Sequence, residues 1–142
     1  MNSQQIQAVQ QSFRLLEPVA EQAMLKFYDR LFEVDPELRH LFRASRDEQA
    51  KKLAQTLTVV VKSLDRPEQI LGAVQDLGRR HVGYGVKDSH YETVGAALLW
   101  TLEQGLGNAF TSEVRDGWAT AYGLLASVMQ DAAAGNAAHA EA

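Results

Sequence analysis

Apolar side chains return every third or fourth residue through nearly all of this chain, and no stretch alternates convincingly at period two. That pattern admits helices and leaves no material for a sheet, so the chain is expected to be all-α, with six to seven helices. The first covers about Ser3 to Leu16, with Ile6, Val9, Phe13 and Leu16 on one face and Ser3 as its cap. The second begins near Pro18, which a first turn tolerates, and turns Ala20, Met24, Phe27, Tyr28 and Leu31 inward. A short third helix starts at Asp35-Pro36 and places Leu38, Leu41 and Phe42 on the core side. Ser45 and Glu48 have capping-box spacing ahead of a stripe of Gln49, Leu53, Leu57, Val60, Val61 and Leu64. Pro67 opens a helix in which Ile70, Val74, Leu77 and His81 share a face. Ser89 and Glu92 repeat the capping-box spacing before Tyr91, Val94, Ala97, Leu98 and Leu102, and Thr111 caps a last long helix carrying Val114, Trp118, Tyr122, Leu125 and Met129.

A chain of 142 residues, 46% hydrophobic, has enough apolar material for one compact core and little room for a second. That domain is expected over residues 1–131. The Ala-rich segment 132–142 has no large apolar residue to anchor it and is expected to be a flexible tail. Fourteen Lys and Arg are scattered along a chain of net charge −4, which points away from nucleic acid and from anionic membranes as partners. The absence of cysteine excludes disulfides, thiolate metal sites and thiol catalysis. A polar amino terminus, and no run of about eighteen apolar residues, make a cytoplasmic location the default expectation. Gly83 and Gly85 follow a helix rather than a strand, so they mark a helix exit and not a dinucleotide site. His-Glu-x-x-His, Glu-x-x-His and Gly-x-Ser-x-Gly patterns do not occur, and the usual hydrolytic and di-metal enzymes lose support.

Two polar residues interrupt otherwise apolar faces. His81 ends the inward face of its helix, where it is either a satisfied core histidine or a ligand. Gln49 leads its stripe one turn before Leu53, where it is either a solvated first-turn residue or a hydrogen-bond donor facing the interior.

Three segments carry a likeness to a known family: Asp35-Pro36-Glu37-Leu38-Arg39-His40-Leu41-Phe42, Leu77-Gly78-Arg79-Arg80-His81 with Tyr84-Gly85-Val86, and Leu106-Gly107-Asn108-Ala109-Phe110-Thr111 followed by Trp118 and Tyr122. In this order they resemble the globins, specifically single-domain bacterial globins akin to neuroglobin and the globin portion of flavohaemoglobins, over roughly residues 5 to 130. The resemblance implies a globin fold, helices three over three around a haem pocket, with haem b (iron protoporphyrin IX) as cofactor. It makes His81 the proximal iron ligand and Phe42 the ring against the haem face. Leu77 and Val86 would line the proximal pocket, with Val94 near the porphyrin edge. Tyr28 matches the distal tyrosine of bacterial globins, and Gln49 the place where vertebrate globins usually have histidine. Leu53 would be the apolar wall over the iron. Chemistry agrees with the assignment, since a histidine on an apolar face before a glycine turn can hold iron against a flat hydrophobic ligand.

Tyr28 and Gln49 would together stabilise dioxygen, whose ferrous complex has partial superoxide character, by about one kcal/mol or more per donor. Gln49 is a poor iron ligand, so the ferrous protein is expected to be five-coordinate and open to oxygen, CO and NO. Tyr91 matches a flavohaemoglobin tyrosine near the proximal ring, but Ala133 stands at the position corresponding to that site's glutamate, which argues against strong electron push onto the iron. Lys52 and Arg80 are the candidates to pair with haem propionates, with Arg79 beside them; a solvated last turn of the helix is the alternative for the arginines. His40 is assigned to the surface or haem edge, while His90 and Tyr84 lie near the proximal edge. The leading expectation is a haem protein that binds diatomic gases, as a monomer or weak homo-oligomer. The alternatives are a nitric oxide dioxygenase that depends on a separate reductase, and a haem-free sensor or interaction module of globin fold.

Overall fold

The computed structural model describes residues 1–42, 44–83 and 85–141, with side-chain surroundings given through residue 134 except at Gly83. Among the described residues there are six α-helices and no strand: α1 Ser3–Leu16, α2 Ala20–Val34, α3 Arg46–Lys62, α4 Leu71–Gly83, α5 Asp88–Leu106 and α6 Ser112–Glu141. The chain's three prolines each sit at the start of a 3₁₀ turn, Glu17–Val19, Pro36–Leu41 or Pro67–Gln69. Proline lacks the N–H that a first turn leaves unbonded, and its fixed φ suits that place. The short helix expected after Asp35 is therefore a 3₁₀ segment throughout, and α2 begins two residues beyond Pro18.

The caps differ from expectation at α1 and α5. Asn2, not Ser3, caps α1: its Oδ1 accepts the Gln5 N–H at 2.8 Å while Gln5 Oε1 accepts the Asn2 N–H at 3.1 Å. Ser45 Oγ does accept the Glu48 N–H at 3.2 Å, and Thr111 Oγ1 accepts the Val114 N–H at 3.3 Å. Ser89 and Glu92 form no cap. α5 starts two residues earlier, at Asp88 with Lys87 in the cap position, and His90 Nδ1 accepts the Lys87 N–H at 3.0 Å. His90 is therefore a helix-start residue.

α1 packs on α6, α2 on both α3 and α5, and α4 mainly on α6. Val9, Phe13 and Leu16 of α1 meet Met24 and Leu31 of α2 and Leu102 of α5 in the fully buried centre, at about 1.5–3 kcal/mol of burial per large side chain. Between α1 and α6, the Trp118 indole N–H donates to Ser12 Oγ at 2.9 Å, and Ser12 donates onward to the Val9 carbonyl at 3.0 Å. This relay places two polar groups in the core without leaving either unbonded. No helix among the described residues is long and apolar enough to cross a membrane. Ser12→Ala should leave the Trp118 N–H without an acceptor and lower stability by about 1–3 kcal/mol in urea unfolding, with native helix content unchanged.

Candidate functional site

α2 presents Tyr28 to an aromatic cluster. Its ring meets Phe27 at 5.0 Å and Phe42 at 5.3 Å, both edge to face, and Phe32 at 5.9 Å, while Phe32 and Phe42 meet at 5.5 Å. Only 5% of Tyr28 is exposed. Its hydroxyl has no hydrogen-bond partner among the described residues, although no sealed side-chain nitrogen or oxygen is left unbonded. The hydroxyl therefore faces accessible space rather than packed protein. Burial pushes its pKa up to about 12, so it remains a donor at any physiological pH.

An exposed ion pair, Arg46 to Asp29 at 2.7 Å, joins the first turn of α3 to the residue after Tyr28. Ala50 and Ala54 are buried, whereas Gln49 and Leu53 are only half-buried. Small residues take the tight helix contact, and the larger neighbours are left on the flank.

α4 holds His81 in its last turns. The ring Nδ1 lies 2.7 Å from the Leu77 carbonyl, an acceptor only, so Nδ1 carries the proton and the Nε2 atom of the neutral ring carries the lone pair. Burial lowers the pKa of His81, the Leu77 bond opposes that shift, and the charge of Arg80 adds to it. The helix then ends in a Schellman closure: the Val86 N–H bonds the carbonyl of His81 itself at 3.1 Å and the Gly85 N–H that of Val82 at 3.0 Å. Gly85 supplies the left-handed residue, φ +86°. His81 is thus fixed through its ring and through its backbone, and Gly85 marks the helix exit read from the sequence.

From the start of α5, Tyr91 lies near-parallel to His81, ring centroids 6.5 Å apart. The Tyr122 hydroxyl of α6 donates to the Tyr91 carbonyl at 2.7 Å, and burial raises its pKa. Leu41, just before Phe42, lies near the exit of α4: a Cβ built on Gly85 would stand 3.6 Å from its Cδ2.

Leu77, Val86 and Val94 are half-buried, apolar and incompletely covered by protein. Lys52 and Arg80 are exposed and in no ion pair among the described residues, whereas Arg79 is bound to Asp76 at 2.8 Å. His40 is exposed. Tyr84 lies outside the described residues. Phe32 was missed by the sequence reading, although its place four residues after Tyr28 on one helix face was available as a signal. The bond from Tyr122 to Tyr91 was missed too, because it spans 31 residues and has no local signature.

These residues fit a haem group: incompletely covered apolar side chains, a phenol hydroxyl that is neither sealed nor bonded among the described residues, and a neutral histidine with its lone pair on Nε2. The family model Globin matches residues 25–129, so this all-α chain belongs to the globin family. Globins normally bind haem. Among curated relatives, the flavohemoprotein of Rhizobium meliloti (strain 1021) is 34% identical over 106 residues, covering 72% of this chain and 26% of that protein. The flavohemoprotein of Vibrio cholerae is 29% identical over 134 residues, covering 92% of this chain and 34% of that one. The chain thus spans about a quarter to a third of these relatives' length. Of solved structures, an engineered carbene transferase derived from a candidate nitric oxide dioxygenase of Rhodothermus marinus superposes with a TM-score of 0.91 at 27% identity, covering 100% of this chain and 99% of the other. A bacterial globin from Campylobacter jejuni gives 0.82 at 27% identity, covering 93% and 96%.

Tyr28 has one direct consequence for pH. Its native pKa lies above the unfolded value of 10.0, so the folded protein keeps a proton that the unfolded chain releases, and stability falls as pH rises from 10 to about 12. Phenolate absorbance should show Tyr28 ionising late, and Tyr28→Phe should remove part of the alkaline stability loss.

Proposed function

We propose that this globin binds haem b through His81 Nε2 and takes up diatomic gases on the opposite face, beside Tyr28 and Gln49. The haem iron supplies the gas-binding centre. The observation that carries the reading is Tyr28, a buried ring whose protonated hydroxyl is not sealed by protein and has no hydrogen-bond partner among the described residues. Such a group is a preorganised donor for a ligand that develops negative charge, which favours dioxygen over carbon monoxide. Gln49 provides a second donor from α3, and Leu53 an apolar wall that excludes water.

On the other side, the Leu77 carbonyl and the Schellman closure hold the His81 ring in the tautomer that an iron ligand requires. Among the described residues no three metal-ligating side chains cluster, so a metal at His81 must bring its remaining ligands with it, as a macrocycle does. Phe42, Leu77, Val86, Tyr91 and Val94 form the apolar boundary. Tyr84 is assigned to the same edge by the family resemblance alone. Lys52 and Arg80 are the cations left to pair with propionates.

A second reading, nitric oxide dioxygenation, is favoured by the flavohemoproteins and the Rhodothermus marinus protein among the relatives. In it, nitric oxide and dioxygen yield nitrate with one electron delivered by a separate reductase, and Tyr28 and Gln49 hold the dioxygen. A haem-free sensor or interaction module is the remaining reading. A cytoplasmic location is compatible with a chain without cysteine, and a monomer or weak homo-oligomer is the proposed state.

Purified protein supplemented with haem should show a Soret band, and His81→Ala should lose it; a stable band in that variant would overturn the proximal assignment. Tyr28→Phe should speed dioxygen release about tenfold or more, the loss of one charge-assisted hydrogen bond, with a smaller change for carbon monoxide. Steady-state nitric oxide consumption with a supplied reductase, falling in Tyr28→Phe, would select the second reading over simple gas binding.

A further inference from the structure

One face of α4 rests on α6 at a place where there is no room for a side chain. A Cβ built on Gly78 would lie 2.6 Å from the Cα of Met129 and 2.8 Å from its carbonyl carbon, with the carbonyl oxygen nearer still. All three obstacles are backbone atoms of a 30-residue helix, and no rotamer change removes them. Ordinary carbon contacts need about 3.5–4.0 Å, so an alanine at position 78 would force the helices apart by about 1 Å.

Gly78 is buried and stands three residues before His81, under one turn of helix away. The Leu77 bond to His81 Nδ1 and the Val86 bond to the His81 carbonyl both lie at this end of α4, so they move with it and correct nothing. Tyr91 does not move with α4, because the Tyr122 hydroxyl ties its carbonyl to α6. α6 is thus the shared reference for both rings of the proximal pair.

We propose that Gly78 is a positioning residue for the haem iron: by letting the α4 backbone lie directly on the α6 backbone at Met129, it sets how far His81 reaches into the pocket. The proposal rests on the reading of His81 as iron ligand, and the His81→Ala variant tests that reading separately.

Gly78→Ala should shift the iron–histidine stretching band in resonance Raman spectra of the deoxy ferrous protein. It should also speed haem transfer to an excess of acceptor apoglobin by about tenfold or more, the usual scale when the support of a metal ligand is disturbed. Gly72→Ala lies on the same helix with nothing within 4 Å of its Cβ, and should leave both quantities at their original values. Met129→Ala removes a side chain but keeps the contacting backbone, and should leave the band in place. An unshifted band with unchanged haem loss in Gly78→Ala, or a shift of equal size in Met129→Ala, would overturn the proposal. Should Gly78→Ala yield no haem protein, the Met129→Ala band decides alone: an unshifted band supports the backbone contact, and a shifted one assigns the role to side-chain packing. Loss of haem from His81→Ala together with an unshifted Gly78→Ala would sink the positioning role and leave the ligand assignment standing.

Discussion

α3 and α4 lean on different partners, α2 and α6, and neither rests extensively on the other. A chain that packed these two helices together would bury more of Leu53 and Leu77 and would close the space into which Tyr28 directs its hydroxyl. Keeping them apart leaves apolar surface incompletely covered, which costs hydrophobic stabilisation unless something apolar fills the space. Other features accompany that division: Arg46 pairs with Asp29 on one side, Gly78 lies on the Met129 backbone on the other, and Leu41 stands near Gly85.

The electrostatics sort residues that sequence alone leaves equivalent. Arg79 and Arg80 are adjacent cations at the end of α4, yet Arg79 is taken up by Asp76 while Arg80 has no ion pair among the described residues and acts on His81 through its charge. An exposed pair such as Arg79 with Asp76 contributes little to stability, but it decides which cation is available to a carboxylate from outside the chain. Two phenols, one buried and one half-buried, are likewise distinguished. Tyr122 donates to a backbone carbonyl, whereas Tyr28 has no acceptor among the described residues.

Much of this architecture was legible because helical periodicity is a property of neighbours in sequence. The stripes through Val9 and Phe13, through Met24 and Leu31, and through Trp118 and Met129 all appear as buried faces. Capping was legible where the capping residue had no competitor, as at Ser45 and Thr111, and misleading at Ser3 and Ser89, where Asn2 and the Lys87–His90 bond occupy the start instead. What could not be read was anything made by two distant helices at close range. Neither the contact of Gly78 with Met129 nor the bond from Tyr122 to the Tyr91 carbonyl has a periodic signature, since each depends on how two helices cross rather than on the pattern of either. For Tyr28, Gln49 and His81 the family resemblance implies the proposed roles, and the burial of Tyr28 and the bond of the His81 ring to the Leu77 carbonyl are the observations that support two of them.

Two glycines flank His81 on α4 and its exit, and they restrict their positions for unrelated reasons. At Gly78 the obstacle is volume, since an L side chain of any size would run into the Met129 backbone. At Gly85 the nearest atom stands at an ordinary 3.6 Å, and what excludes other residues is φ at +86°. Position 85 therefore selects handedness rather than size. A D-alanine built there would have the backbone sign that the Schellman closure needs, and the carbonyl of His81 would keep its partner.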